Sequence, residues 1–237
     1  MAHPHLVLKP DLYRCAGCKL RCAARMPASA KSRYATAGVL SAVLIGWLAV
    51  AQYLGVAATT GTTLPIVLSG LLIPPTVAAV GLWQSESIAR LVSAIPLHWL
   101  VAAQVYRLAG GIVLVLWADG RMPWQFALPA GIGDVATATA AVAVAALLAR
   151  NAIGAYRATY AWCLFGIADI AVATVMGAMT SPAAAHLLAL KTPNLLIASY
   201  PLVMHPFYGV PLALMLHGLV LWRLRRGAAA TGRLATA

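Results

Sequence analysis

Apolar residues in this chain come in long runs, and polar residues are confined mostly to the short stretches between them. Six runs can be marked, roughly Thr36 to Ala57, Leu64 to Trp83, Ala94 to Trp117, Ala127 to Ala149, Ala158 to Thr180 and Leu195 to Trp222. Each is close to the about 20 residues that a helix needs to cross the hydrocarbon core of a bilayer. A helix satisfies its own backbone groups, so the pattern predicts an all-α integral membrane bundle of about six transmembrane helices. The alternating ten-residue segments of a β-barrel are missing. Three regions follow: a basic, disordered tail over 1–35, a six-helix transmembrane domain over 36–222, and a second basic tail over 223–237.

Composition agrees with this reading, since 62% of residues are hydrophobic and 9% charged, against about a quarter charged in a soluble domain. The lipid bilayer is therefore the first expected partner. Lys9, Arg14, Lys19, Arg21, Arg25, Lys31 and Arg33 precede the first span, and Arg223, Arg225, Arg226 and Arg233 follow the last. Arg90, Arg150 and Arg157 fall in the second and fourth connections, whereas the first, third and fifth carry only Arg121 and Lys191. By the positive-inside rule both termini are cytoplasmic. The net charge of +12 sits at membrane-flanking sites, where it suits topology and anionic lipid. Nucleic acid is not an expected partner, because no basic globular module is present to hold it. The first run is too long, and its basic leader too long, for a cleaved signal peptide, so it reads as a retained anchor.

Cys15, Cys18 and Cys22 in the N-terminal tail have a C-x2-C-x3-C spacing. Thiolates that close could hold a metal, but a fourth ligand is not evident, and reduced cysteines in a solvated tail are the favoured reading. Cys163, alone in the fifth span, reads as a small buried apolar residue.

Formally charged residues within the spans, away from their ends, are Arg107, Asp134 and Asp169. Each costs about 2.5 to 3.5 kcal/mol at a helix centre on insertion scales. At 1.5 Å per residue all three fall roughly 10 to 17 Å below the outer surface, and His205 reaches the same layer. Gly131 and Gly133 flank Asp134, and Gly133, Thr137, Ala141 and Ala145 make a small-residue stripe that lets another helix approach. Gly166, Ala173 and Gly177 do the same around Asp169, and Gln104, Arg107 and Gly111 share a face of the third helix. These patterns turn the ionisable residues inward, where Arg107 can neutralise a carboxylate. One arginine and two aspartates leave one negative charge over, to be balanced by a protonated His205, a protonated Asp or a cation. Arg107, Asp134, Asp169, His205 and Gln104 are thus the candidate substrate or ion pathway. A buried ion pair can also do no more than fix helix register.

The sixth run, "SYPLVMHPFYGVPLALMLHGLVLW", carries Pro201, Pro206 and Pro211, which free the carbonyls of Ile197, Leu202 and Phe207. A kink or break near His205 is expected, and broken helices at mid-membrane expose backbone to substrates in transporters. Pro74 and Pro75 mark a second bend. His98 and His217, near the inner ends of the third and sixth spans, raise a rival reading in which two histidines ligate a haem b. No hydrolase, zinc-protease, P-loop or dinucleotide motif occurs, so an enzyme is not the favoured reading. Asp119, Arg121, His186 and Lys191 could line an entrance.

The stretches "YRLAGGIVLVLWADGRMPWQFALPAGIGD", "GIADIAVATVMGAMTSP" and "YPLVMHPFYGVPLALMLHGLVLWRL" in that order resemble a family of uncharacterised bacterial polytopic inner-membrane proteins, over roughly Ala94 to Leu224. The resemblance implies an all-helical fold in a bacterial inner membrane and supplies no activity. The sequence therefore leaves a small transporter or proton/ion-coupled permease, taking a small solute or cation, beside a haem-bearing electron carrier. A homo-oligomer or a structural subunit of a membrane complex stands as a third.

Overall fold

Helices form wherever the apolar runs lie, and the departures from ideal helix fall at the glycines and prolines that interrupt those runs. A computed structural model of the protein describes residues 30–58, 64–182 and 186–235, so the cysteines at 15, 18 and 22 and most of the N-terminal tail lie outside the described residues. In chain order come α1 (Ala30–Ala58), α2 (Leu64–Gln84), α3 (Glu86–Ala94), α4 (Leu97–Ala102), a 3₁₀ segment (Ala103–Gly111), α5 (Ile112–Ala118), α6 (Trp124–Ala149), α7 (Ala155–Thr180) and α8 (Val210–Ala235). Among the described residues there is no strand, and six helical stretches are long and apolar enough to cross a membrane. Large apolar side chains such as Ile45, Ile73, Val77, Leu108, Ile132 and Val175 remain exposed around the bundle, which a bilayer accommodates and water does not.

The helices are not equivalent. α6 has 44% of its span buried, α1 only 11% and α2 only 6%, which makes α6 the central helix and α1 and α2 a peripheral pair. α6 is central because its small residues permit it: Ala127, Ala130, Gly133, Thr137, Ala141 and Ala145 are all buried. α1 and α2 dock on the irregular chain that precedes α8, with Ala51, Val203 and Phe207 as their shared core and the Trp47 and Tyr208 rings 4.5 Å apart.

Three elements depart from the sequence reading. The connection after the second span folds as α3, begun by Ser85, whose hydroxyl accepts the Ile88 N–H, and buried along Ala89 and Val92. Its C-terminal carbonyls, Val92 O and Ile95 O, each accept from Nη1 of Arg223 at 2.7 Å, a cation placed where the helix dipole favours one. The third span is not one α-helix. Its middle tightens to three residues per turn over Ala103–Gly111, so Gln104, Arg107 and Gly110 form one buried row. The expected partner Gly111 gives way to Gly110 for that reason. The sixth span begins about ten residues later than its apolar run. A single 3₁₀ turn (Leu196–Ala198) and further turns lead to a π-turn, His205–Gly209, and only then to α8, which continues past Trp222 to Ala235. Pro201, Pro206 and Pro211 account for this, since none can donate a helix bond.

Side chains in the bundle lie in layers. One apolar layer gathers Val113, Met122, Phe126, Ala127 and Ala130. At the other end a second joins Leu100, Val101, Ala141, Val144, Trp162, Cys163, Val220 and Leu224. The ionisable residues lie between them.

Candidate functional site

Arg107 is held at the centre of the site by the 3₁₀ row, which points it at α6 and α7 together. Its Nε donates to Oδ1 of Asp134 at 2.7 Å, and its Nη2 donates to Oδ2 of Asp169. One guanidinium therefore bridges two carboxylates, each from a different helix. The residues are 4%, 5% and 8% exposed respectively. Their meeting is what the matched depths in the sequence lead one to expect.

Glycine makes this closeness possible. A Cβ added at Gly110 would overlap the Asp134 carboxylate, and one at Gly133 would overlap that of Asp169. Each carboxylate thus rests on bare backbone of the neighbouring element, with no side chain able to intervene. Gly131 plays a different part, since a Cβ there would collide with the apolar side chains of Leu114 and Val113 and not with a carboxylate.

His205 sits on the π-turn with Nε2 3.5 Å from Oδ2 of Asp134. Its side chain is 30% exposed and lines a cavity of about 120 Å³ between α2, α7 and the chain before α8. The walls are mainly apolar, among them Leu71, Phe126, Ala173 and Ile197, with Thr174 and Ser181 as further polar positions. His205 thus has one edge on the ionic cluster and another on open space. The cavity is slightly smaller than the roughly 150 Å³ that admits benzene in an engineered apolar site, so it suits an occupant of a few heavy atoms.

Gln104, one 3₁₀ turn from Arg107, donates from Nε2 to the Ala213 carbonyl on α8 at 3.1 Å. Tyr106, which the sequence reading passed over, donates its hydroxyl to the Gly209 carbonyl at 2.5 Å and so ties the 3₁₀ segment to the end of the π-turn. Its signal was adjacency to Arg107 in a span with no other tyrosine.

Other candidates are placed elsewhere. His217 is fully buried, its ring 4.7 Å from that of Trp162, and its Nε2 edge faces Gly166, where even a Cβ would not fit. A haem could reach this imidazole only after α7 moved away. His98 is half-buried beside Trp99. Among the described residues no group of three or more His, Cys, Asp or Glu is arranged to hold a metal ion. Asp119, Arg121 and Lys191 are exposed and His186 half-buried, and none of the four lines the His205 cavity. Cys163 lies fully buried in the second apolar layer.

The chemistry open to this arrangement is proton or cation handling. Taking ions out of water costs several kcal/mol each, which pairing must offset. Arg107 offsets one carboxylate in full and leaves the pair of aspartates one charge in excess. Comparison with known families matches residues 64–225 to a domain of unknown function, DUF8737. That stretch contains the whole cluster and its cavity and leaves out α1. No curated protein and no solved structure matches the chain.

Proposed function

We propose, for a chain that belongs to the DUF8737 family, a small transporter or proton/ion-coupled permease of a bacterial inner membrane. Its pathway is the set Arg107, Asp134, Asp169, His205 and Gln104. The observation that carries this reading is the position of His205, which bridges a cavity and a buried cluster whose two carboxylates share one guanidinium. A histidine there can pass a proton between an occupant of the cavity and Asp134. A register-fixing ion pair has no use for either the extra carboxylate or the cavity.

The test is Asp134→Asn in protein reconstituted into liposomes, with proton entry read by an internal pH-sensitive dye. Asn keeps the size and one acceptor for Arg107, which still pairs with Asp169. A positioned proton-transfer group is worth about 10²-fold or more in rate, and a loss of that order is expected with little change in stability. Full flux from a well-folded variant would sink the reading.

Orientation is proposed with both termini cytoplasmic, on the strength of the Lys and Arg placement. Reporter fusions at Gly120 and at the C-terminus should then report opposite sides of the membrane. Equal signals at the two sites would overturn the orientation and the span count together.

A further inference from the structure

One turn inward from the ionic cluster, three elements present a second set of polar groups. Gln104 follows Arg107 down the 3₁₀ row, Thr137 follows Asp134 along α6, and His217 lies one turn beyond Ala213 on α8. α7 contributes Gly166, and a Cβ placed there would meet both His217 and Thr137, which puts those two side chains side by side. The Gln104 amide bonded to Ala213 ties the third element to the same level.

These side chains are buried and, among the described residues, incompletely bonded. Gln104 Oε1, Thr137 Oγ1, both ring nitrogens of His217 and Nη1 of Arg107 have no partner. The Gln104 amide cannot be turned to help, because the Ala213 carbonyl requires its NH₂ group. Thr137 is exceptional among its kind: the hydroxyls of Thr76, Thr139, Thr159, Thr174 and Thr180 each donate to the carbonyl four residues earlier. Buried polar atoms almost always find a partner in protein or in ordered water.

We propose that this layer is a binding site for water, and that His217 is the inner station to which the water carries a proton from the Arg107 cluster. The proposal rests on the proton-handling reading of that cluster. The orphaned atoms are a mixture, with donors on Arg107 and His217 and acceptors on Gln104, Thr137 and the other His217 nitrogen. Water, which donates two hydrogen bonds and accepts two, meets such a mixture. A sodium ion would satisfy the oxygens and leave both donors unpartnered. The proton step balances through the water: as the bare nitrogen of His217 takes a proton from it, giving an imidazolium, the water takes one from a protonated carboxyl of the cluster, so no hydroxide is left, and the ring returns to neutral by passing a proton to a water on its inner side. Arg107, Asp134 and Asp169 are the charged groups above His217, and Trp162 and Gly166 flank it.

The experiment is hydrogen–deuterium exchange at the ring Cε1 position of each histidine, measured by mass spectrometry on the full chain in detergent, together with proton flux through liposomes. His217 is expected to exchange on the timescale of His205. His217→Gln, which keeps hydrogen bonding but cannot be protonated at neutral pH, is expected to lose about tenfold or more of the flux. No exchange at His217 while His205 exchanges would overturn the water site, whatever Asp134→Asn does. Exchange with full flux in a folded His217→Gln protein would overturn the relay. If His217→Gln does not fold, Thr137→Val removes one hydroxyl from the same layer, and it should lower both flux and His217 exchange. Unchanged values for both would again count against the proposal. Full flux in Asp134→Asn beside normal exchange at His217 would remove the transport reading and leave the water.

Discussion

Arg107→Ala should remove more folded protein than any other single change within the membrane-spanning core. Its guanidinium is the cation that faces both Asp134 and Asp169, and all three side chains are almost wholly buried. Deleting one partner of a buried ion pair costs about 3–5 kcal/mol, because the remaining charge is left uncompensated. Here two like charges are left. The yield of monodisperse protein in detergent and its melting temperature should both fall sharply. Neutralising the survivors as Asp134→Asn with Asp169→Asn, in an Arg107→Met background, should restore much of the loss, since uncharged residues of similar volume no longer demand a counter-ion. An Arg107→Ala protein that melts like the parent would mean that the cluster is hydrated and electrostatically slack.

Gly133→Ala is expected to be nearly as damaging, for a steric reason. The added methyl group would occupy the position of the Asp169 carboxylate, which Arg107 holds in place. Overpacking in a tight interior costs about 1–3 kcal/mol, and displacement of Asp169 adds the loss of its ion pair. Gly218→Ala on α8 is the matched control, because nothing lies within 4 Å of a Cβ there. Alanine is favoured over glycine in a helix interior by about 1 kcal/mol, so that variant should melt at or above the parent temperature. Proton flux should vanish in the first and survive in the second. If both variants behave alike, the close register between α6 and α7 is wrong.

The spans and the ionic layer were legible because each depended on something local. Hydrophobic run length marked the helices, and counting residues from span ends put Arg107, Asp134, Asp169 and His205 at one depth. The row to which Arg107 belongs was not legible in full. Gln104, Arg107 and Gly111 fit a helix of 3.6 residues per turn, and nothing in "AQVYRLAGG" announces a switch to three. That switch exchanges Gly111 for Gly110 and lets the Asp134 carboxylate settle on bare backbone. The burial of His217 was not legible for a related reason. α8 is apolar on most sides near it, and its periodicity does not say which face is inside. Thr137 was visible as a small residue in a packing stripe, and only the geometry of its hydroxyl shows that it is also a free polar group. The cavity beside His205 depends on the path of residues 197–204, which the prolines forecast as irregular without specifying.

The apolar layer formed by Leu100, Val101, Ala141, Val144, Trp162, Cys163, Val220 and Leu224 has an electrical consequence. Its residues carry no ionisable group except a buried thiol, and on α6 and α7 they lie between the His217 level and Arg150 and Arg157. Voltage across a membrane falls mainly where the material is least polarisable, and this slab is one such stretch, the layer of Val113, Met122, Phe126, Ala127 and Ala130 being the other. A full elementary charge crossing 100 mV exchanges about 2.3 kcal/mol with the field. On the proposed proton pathway, part of that work would be done on a proton in this stretch. On the proposed reading, the layer sets a portion of the path governed by membrane potential apart from one governed by local chemistry.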